Sequence, residues 1–282
     1  MPAFIDDSRP THRLVGILLT LGASASAFAQ SSVEYAFEFV AEWSAATHPE
    51  SFPPNPHFSP VIGATHIADA AIWEPGGIAS PGIEFMAEIG ATGTLGNEVA
   101  GMIVLGQADQ YLNLGGIGLS PGSRARTITV DAAFDHVSLV TMIAPSPDWF
   151  VGIHGIDLRE GGLWARELVF DLDPYDSGTD AGTNYTSANA NITPHLPITN
   201  IADEFPFAGS PRIGTFRLAL LSDAACSVAD VAEPYETLDL ADIGLFVGAF
   251  TNAEPPADLD ENGVYDLADI GAFVNSFTAG CP

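Results

Sequence analysis

The clearest chemical signal in this 282-residue sequence is a twelve-residue acidic segment near its end, from Asp258 to Asp269. Oxygen-bearing side chains alternate along its first half, and Gly263 follows where a sharp turn is required. Calcium takes about six to eight oxygen ligands, and this spacing lets alternate side chains converge on one ion. The segment predicts a calcium site with side-chain ligands from Asp258, Asp260, Asn262 and Asp269, a backbone carbonyl from Val264, and a direct or water-mediated contact from Asp266. The alternative is a solvated acidic turn without an ion.

The calcium loop belongs to the second copy of an internal repeat. Residues 238–247 recur 27 positions later as residues 265–274 with few changes. Apolar residues at helical spacing behind an acidic start predict a short helix in each copy. In the first copy, residues 230–237 lack the alternating oxygen ligands and the central glycine. We therefore expect little or no calcium there, although Asp239 and Asp242 remain in register.

The N-terminal residues predict export from the cell. Arg9 and Arg13 precede an apolar run, and a small-residue stretch ending at Ala29 is typical of a signal-peptide cleavage site. The apolar run is shorter than a membrane span, and no later stretch approaches the roughly 18 to 20 apolar residues that a span requires. We expect a secreted, extracellular protein that does not span the membrane.

Both cysteines of the chain, Cys226 and Cys281, lie near its C-terminal end. In an exported protein such a pair is expected to form a disulfide, and a bridge across this separation stabilises a small module by roughly 4 kcal/mol. Free or intermolecular cysteines are the alternative.

The net charge of -28 excludes one large class of partners. All eight basic residues are arginine, and no lysine is present. Such a chain repels phosphate backbones and anionic lipids, so we predict no nucleic-acid partner, and it attracts cations instead. Alternatively, the acidity only keeps the protein in solution.

Short strands between turns must position these residues. Apolar residues alternate with glutamates from Val33 to Trp43, which predicts a half-buried strand. Similar runs occupy residues 126–130, 137–143, 167–172 and 214–221, and residues 83–89 and 94–104 are the possible helices. This pattern predicts a mainly β fold, an antiparallel sandwich with a small C-terminal helical module. We divide the chain into a signal peptide (1–29), a β-sandwich (30–221) and a calcium-binding repeat module (222–282).

Several unusual motifs in the sandwich region resemble the spondin N-terminal domain. They are Thr47-His48-Pro49, residues 56–60, 63–66 and 73–77, and the longer stretches 142–152 and 173–182. The resemblance implies an antiparallel β-sandwich of extracellular matrix and adhesion proteins with calcium on loops at one end. By position, the ligands are Asp148, Asp176 and Asp180. The metal-free alternative is that Asp148 and Asp176 cap turns by hydrogen bonds to the backbone.

Residues 226–282 resemble a type I dockerin, an EF-hand-like pair of loop-helix repeats. The resemblance implies that the two helices pack as a pseudo-symmetric pair. It also implies a possible cohesin-like partner, contacted through Leu240, Ala241, Leu267 and Ala268. A C-terminal structural or anchoring tag is an equal alternative.

No catalytic motif stands out, so we predict that the protein is not an enzyme. The sequence contains no nucleophile elbow, no His-Glu-x-x-His helix and no phosphate-binding glycine loop. His48, His57 and His66 recur at nine-residue intervals, and we interpret them as structural rather than as zinc ligands. The predicted function is calcium-dependent adhesion to an extracellular matrix, cell-surface or carbohydrate ligand. The alternatives are a carbohydrate-binding component of a polysaccharide-degrading assembly, docked through its tail, and a hydrolase on the sandwich.

Overall fold

The computed structural model describes residues 32–160, 163–221, 225–232, 235, 237–260 and 262–281. The predicted signal peptide, residues 1–29, lies outside this range. The strands are β1 (Ser32–Ala41), β2 (His57–His66), β3 (Ala108–Ile117), β4 (Gly122–Asp131), β5 (His136–Ala144), β6 (Trp149–Asp157), β7 (Arg159–Glu160), β8 (Leu163–Trp164), β9 (Glu167–Leu172), β10 (Tyr175–Asp176), β11 (Thr199–Asn200) and β12 (Gly214–Leu220). The helices are α1 (Pro81–Ile89), α2 (Gly93–Val104), α3 (Leu240–Asn252) and α4 (Leu267–Ala279).

Two antiparallel sheets pack face to face. One has the strand order β4-β1-β12-β9, and the other has the order β11-β10-β6-β5-β2-β3. In β1, Tyr35, Phe37 and Phe39 are fully buried and point into the core, while Glu34 and Glu38 lie on the outer face. Phe39 meets Phe58 of the opposite sheet at a ring-centroid distance of 4.9 Å. The predicted mainly β fold, an antiparallel sandwich followed by C-terminal helices, is confirmed.

Helices α1 and α2 cover the outer face of the larger sheet. Ile83 and Met86 of α1 and Leu95 of α2 form a second buried cluster with Ile62 and Val140 of the sheet. Ser80 caps the start of α1 by accepting a hydrogen bond from the Ile83 amide, and Gly90 ends it in the left-handed conformation. Both predicted helices in this region are confirmed, and they place α1 beside the strand ends of the larger sheet.

The C-terminal repeats form two helices with matching starts. Asp239 begins α3 and Asp266 begins α4, each in a capping box completed by the aspartate three residues later. Phe246 and Phe273 stack between the helices with ring centroids 4.1 Å apart. Cys226 and Cys281 form a disulfide, which confirms the predicted pairing.

None of the helices in the described ranges has both the length and the apolar character that a membrane span requires.

Candidate metal centres

Asp148 immediately precedes β6, and its carboxylate is buried. One of its oxygens accepts hydrogen bonds, and the other accepts none among the described residues. Its Oδ2 atom accepts hydrogen bonds from Ser177 Oγ at 2.9 Å, from the Thr179 amide at 2.8 Å and from the Asp180 amide at 3.1 Å. The loop after β10 is thereby tied to the start of β6. The Oδ1 atom is also buried but has no hydrogen-bond partner among the described residues. A buried charged oxygen without a partner is costly, and a cation or ordered water is the kind of group that would satisfy it.

Glu88 at the end of α1 supplies a second oxygen of this kind, and sequence reasoning missed it. Its Oε1 atom is buried and likewise has no hydrogen-bond partner in the described part of the chain. Burial raises the pKa of Glu88, and the charges of Glu84, Asp180 and Asp148 raise it further, against a hydrogen bond from Thr179. Glu88 therefore faces the same acidic loop as Asp148. No pattern in the sequence shows which acidic residue of α1 lies over this loop.

Asp176, at the end of β10, is half-buried and bonded to its surroundings. It accepts hydrogen bonds from the Gly178 amide at 2.8 Å and from the Trp149 indole at 3.3 Å. Burial, followed by the charge on Asp148, raises the pKa of Asp176 to about 6. A nearby cation would oppose both effects.

Asp180 is 3% exposed and organises the loop that follows Asp176. Its two oxygens accept hydrogen bonds from the Gly182 amide at 2.7 Å and from the Ala190 amide at 2.6 Å. Hydrogen bonds of this kind cap turns of the backbone. Each oxygen keeps a further lone pair that could bind a cation.

The structure places the three predicted ligands at one end of the sandwich but does not form them into a compact cage. Among the described residues, Asp148, Asp176 and Asp180 do not form a group whose carboxylate oxygens all lie within 4.8 Å of one another. Asp148 Oδ1 and Glu88 Oε1 are buried carboxylate oxygens without a hydrogen-bond partner in the described part of the chain. Asp148, Glu88, Asp176 and Asp180 are together called the sandwich site below. Among the described residues, they are not part of any group of three or more metal-ligating side chains with atoms within 4.8 Å of one another.

Arginine does not neutralise the sandwich site in any described contact. Arg212 pairs with Glu42 and Asp171, and Arg217 pairs with Glu167, all around the smaller sheet. The side chains of Arg124 and Arg126 donate to backbone carbonyls of β3. At the acidic end, His195 Nε2 lies 3.8 Å from Glu84 Oε1.

The predicted calcium loop does bring three carboxylates together. Oxygens of Asp258, Asp260 and Asp269 all lie within 4.8 Å of one another. The backbone folds around them, since Asp258 accepts from the Asn262 amide at 3.1 Å and from the Gly263 amide at 2.8 Å. Gly263 has φ of 76°, a left-handed conformation that costs glycine little. The donor set and its spacing fit a hard divalent cation.

The other predicted loop ligands hold the loop and the helix start. Asn262 Oδ1 accepts from the Val264 amide at 2.7 Å, and Asp266 Oδ1 caps α4 by accepting from the Ala268 amide at 2.7 Å. The four residues predicted for a cohesin-like contact, Leu240, Ala241, Leu267 and Ala268, are all exposed. Docking through them stays a prediction.

The closing aspartates of the two repeats accept equivalent backbone hydrogen bonds. Asp242 accepts from the Ala232 amide at 2.9 Å and from the Asp239 amide at 2.8 Å. Asp269 makes the equivalent bonds, to the Leu259 amide at 2.8 Å and to the Asp266 amide at 2.9 Å. By the repeat spacing, the first copy carries Val231 where the second has Asp258.

The histidines at nine-residue spacing do not form a metal-binding group in the described part of the chain. His66 is fully buried, with Nε2 2.8 Å from Ser138 Oγ and Nδ1 2.7 Å from the Ile67 carbonyl. Both ring nitrogens are therefore satisfied within the protein.

One further cluster, which the sequence did not suggest, joins Asp135, His136 and Asp157. His136 Nδ1 lies 2.8 Å from Asp135 Oδ1, and Arg159 lies 3.5 Å from the other oxygen of Asp135. An arginine already supplies positive charge here, so the geometry gives no reason to place an ion.

The comparisons with known proteins all match spondin sequences to the sandwich region of this chain. The sequence model of the Spondin_N family matches residues 33–211. Spondin-2 of Rattus norvegicus is 32% identical over 190 residues, covering 66% of this chain and 58% of the relative. Spondin-2 of Homo sapiens is 30% identical over 201 residues, covering 67% of this chain and 61% of the relative. Spondin-1 of Gallus gallus is 33% identical over 199 residues, covering 66% of this chain and 24% of the relative.

The matches thus span about three fifths of spondin-2 and about a quarter of spondin-1. The resemblance inferred from the sandwich motifs is confirmed by a match over more than half of the chain, while residues 212–282 lie beyond the family match. The chain belongs to the spondin N-terminal domain family.

Proposed function

We propose that the protein is a secreted, non-enzymatic, calcium-binding protein that attaches to an extracellular matrix, cell-surface or carbohydrate ligand. Family membership supports the spondin-type role. The leader-like N-terminal sequence supports export, and the disulfide is in keeping with an oxidising compartment.

One observation carries the calcium proposal for the sandwich: two buried carboxylate oxygens, Asp148 Oδ1 and Glu88 Oε1, have no hydrogen-bond partner in the described part of the chain. They lie among like charges that raise the pKa of Glu88. Calcium, which takes carboxylate and carbonyl oxygens in flexible geometry, fits this donor set. When bound, the ion would neutralise the cluster and join α1, the start of β6 and the loop after β10.

This arrangement favours a structural role for the ion over a catalytic one. Asp148 is fully buried and already fixes the Thr179 and Asp180 amides. An ion held there would order the surrounding loops, which are the surface that a ligand would contact. A second calcium ion would bind at Asp258, Asp260 and Asp269 and order the start of α4.

Calcium titration calorimetry on the full exported chain tests both sites. We expect two binding events, of which Asp148→Asn removes one and Asp258→Asn removes the other. Mass spectrometry under native conditions should show the same loss of one bound ion in each variant. A wild-type titration with no heat beyond dilution and no bound mass would refute the calcium proposal.

Adhesion is tested separately, by binding to immobilised matrix proteins and to a glycan array in calcium and in chelator. Wild-type binding that is lost in chelator and in Asp148→Asn supports a calcium-organised ligand surface. Equal binding in both conditions would show that the ion has no part in attachment.

A further inference from the structure

A cavity of about 480 Å³ shares Asp176 and Asp180 with the sandwich site and extends away from Asp148 and Glu88, which do not line it. Its walls come from the start of β6, from the end of β10, from residues 180–183 and from the segment 192–205. Apolar side chains, including Ile192, Leu196 and Ile201, form much of the lining. A concave, partly apolar site of this size suits a small ligand or a single side chain of a partner.

All the charged side chains that line the cavity are negative. Asp176, Asp180 and Glu204 contribute carboxylates, and no basic residue is among the lining residues in the described chain. The charge of Glu204 acts on Asp176, so the two carboxylates lie near each other. Glu204 lines the cavity, whereas Asp148 and Glu88 do not.

Large apolar side chains remain exposed at the rim of the same cavity. Phe205 is 52% exposed and Leu196 is 53% exposed. An aromatic ring beside carboxylates is the combination that holds a planar cation, since the ring face attracts the charge and the carboxylates accept its hydrogen bonds.

We propose that this cavity binds a guanidinium group on an aliphatic stem, as carried by an arginine side chain. The stem lies against Leu196 and Ile201, the guanidinium plane lies near Phe205, and Glu204 accepts its N–H donors. A guanidinium suits the site better than an ammonium because it is planar, less strongly hydrated and able to bond two carboxylates at once. The group can come from a partner protein or from a free small molecule.

Titration of the full chain with N-acetylarginine amide tests the proposal, with calcium in excess so that the sandwich site stays occupied. The indole N–H of Trp149 is the reporter in NMR spectra, because Trp149 lines the cavity and donates to Asp176. A ligand of this size is expected to bind with a Kd of about 1 mM. The neutral isostere N-acetylcitrulline amide should bind at least about ten-fold more weakly, because it lacks the charge.

Glu204→Gln is the test variant and Glu38→Gln is its matched control. Glu204 is exposed, so its substitution leaves the fold intact, and it should weaken arginine binding about three-fold, as expected for an exposed ion pair. Glu38 lies on the outer face of β1 in the other sheet, and its substitution should change nothing. Both variants should keep the wild-type calcium heats, which separates this test from that of the calcium proposal.

Two outcomes would overturn the proposal: equal affinity for the arginine and citrulline probes, or equal effects of the two variants. Agmatine, which has the guanidinium and stem but no peptide groups, distinguishes the source. Tighter binding of the peptide-like probe indicates a protein partner, and equal or tighter binding of agmatine indicates a free guanidinium ligand.

Discussion

At the residue scale, the feature with the strongest consequence is the unequal use of the two Asp148 oxygens. One oxygen accepts bonds from the Ser177, Thr179 and Asp180 segment, and the other is buried without a partner in the described chain. Without a cation, Asp148 Oδ1 has no hydrogen-bond donor among the described residues, and any cation that binds only the folded state stabilises it by mass action.

Asp148→Asn is predicted to have opposite consequences in the two metal conditions. The amide oxygen can keep the bonds from Thr179 and Asp180, while the amide NH2 takes the place of the unpartnered oxygen without a charge. In chelator, the variant should be as stable as the wild type or more stable, by up to about 2 kcal/mol. Calcium should raise the melting temperature of the wild type more than that of the variant. In calcium, the variant should therefore melt at a lower temperature than the wild type. Thermal unfolding followed by circular dichroism, with and without chelator, checks this.

Glu88→Gln tests whether the residue that the sequence did not reveal belongs to the same site. Its calcium affinity should fall at least about ten-fold if a ligand charge is lost from the ion's surroundings. Glu84→Gln is the control on the same helix, since Glu84 contacts His195 and is not among the buried oxygens without partners. Equal losses in the two variants would indicate a general charge effect and would remove Glu88 from the site.

His66 gives a prediction for pH. Burial lowers the pKa of His66, so the folded protein keeps this ring neutral at a pH where the unfolded chain, with a pKa of about 6.5, binds a proton. The free energy of unfolding should therefore fall as the pH drops below about 6.5, and above that pH His66 should contribute no slope. Urea unfolding in excess calcium at several pH values measures it. His66→Gln should reduce the dependence of the free energy of unfolding on pH in this range, even if the substitution lowers the stability at neutral pH. An unchanged pH dependence would contradict the assignment of this effect to His66.

The sequence located Asp148, Asp176 and Asp180 only through motifs of the family, because aspartate is abundant and no spacing distinguishes these three. Glu88 escaped because its role depends on how α1 packs on the sheet, which is a tertiary property. The loop ligands Asp258, Asp260 and Asp269 were identifiable from spacing alone, since a short loop fixes their relative positions locally.

At the element scale, the two C-terminal repeats form an internal control. Asp242 and Asp269 close equivalent loops, each accepting two backbone amides at similar distances. The backbone bonds lower the pKa of Asp269, and they make its carboxylate structural as well as a candidate ligand. The two roles can be separated because the first repeat carries Val231 and Tyr235 where the second has Asp258 and Asn262.

We predict that Asp242→Asn and Asp269→Asn destabilise the C-terminal helices equally in chelator, by about 1 kcal/mol each, through the weakened caps. In calcium, only Asp269→Asn should show an additional loss, because only the second loop binds the ion. Hydrogen exchange of α3 and α4 in the two metal conditions measures both effects. A calcium-dependent loss in Asp242→Asn as large as that in Asp269→Asn would mean that the first loop also binds.

β2, which the sequence did not predict, differs in burial from β1, which it did. β1 is buried on one face, so alternating residues revealed it. β2 packs on the sandwich core through one face and on α1 and α2 through the other, and it is buried along most of its length. A strand covered on both faces shows no alternation, and its histidines and proline obscured the β propensity.

At the scale of the whole molecule, the described chain contains a large sandwich core and a separate small one. The small core holds Ala229, Phe246, Ala249, Ala257 and Phe273 as its buried members. So few buried side chains supply little hydrophobic stabilisation, and small modules of this kind depend on cross-links or metal ions. The Cys226–Cys281 disulfide joins the two ends of the segment that contains both repeats.

Removing that disulfide should therefore affect the two cores unequally. For a sequence separation of 55, loss of the bridge through Cys226→Ser with Cys281→Ser costs about 4 kcal/mol in the chain-entropy model. That is comparable to all the stability that a core of this size can supply, so α3 and α4 should exchange their amide hydrogens rapidly while β1 and β12 keep their protection. Excess calcium should restore part of the protection in α4, because the ion binds only when the second loop is folded. Unchanged exchange in α3 and α4 would show that the small core is stable without its cross-link, and simultaneous loss of protection in β1 would show that the repeats and the sandwich unfold as one unit.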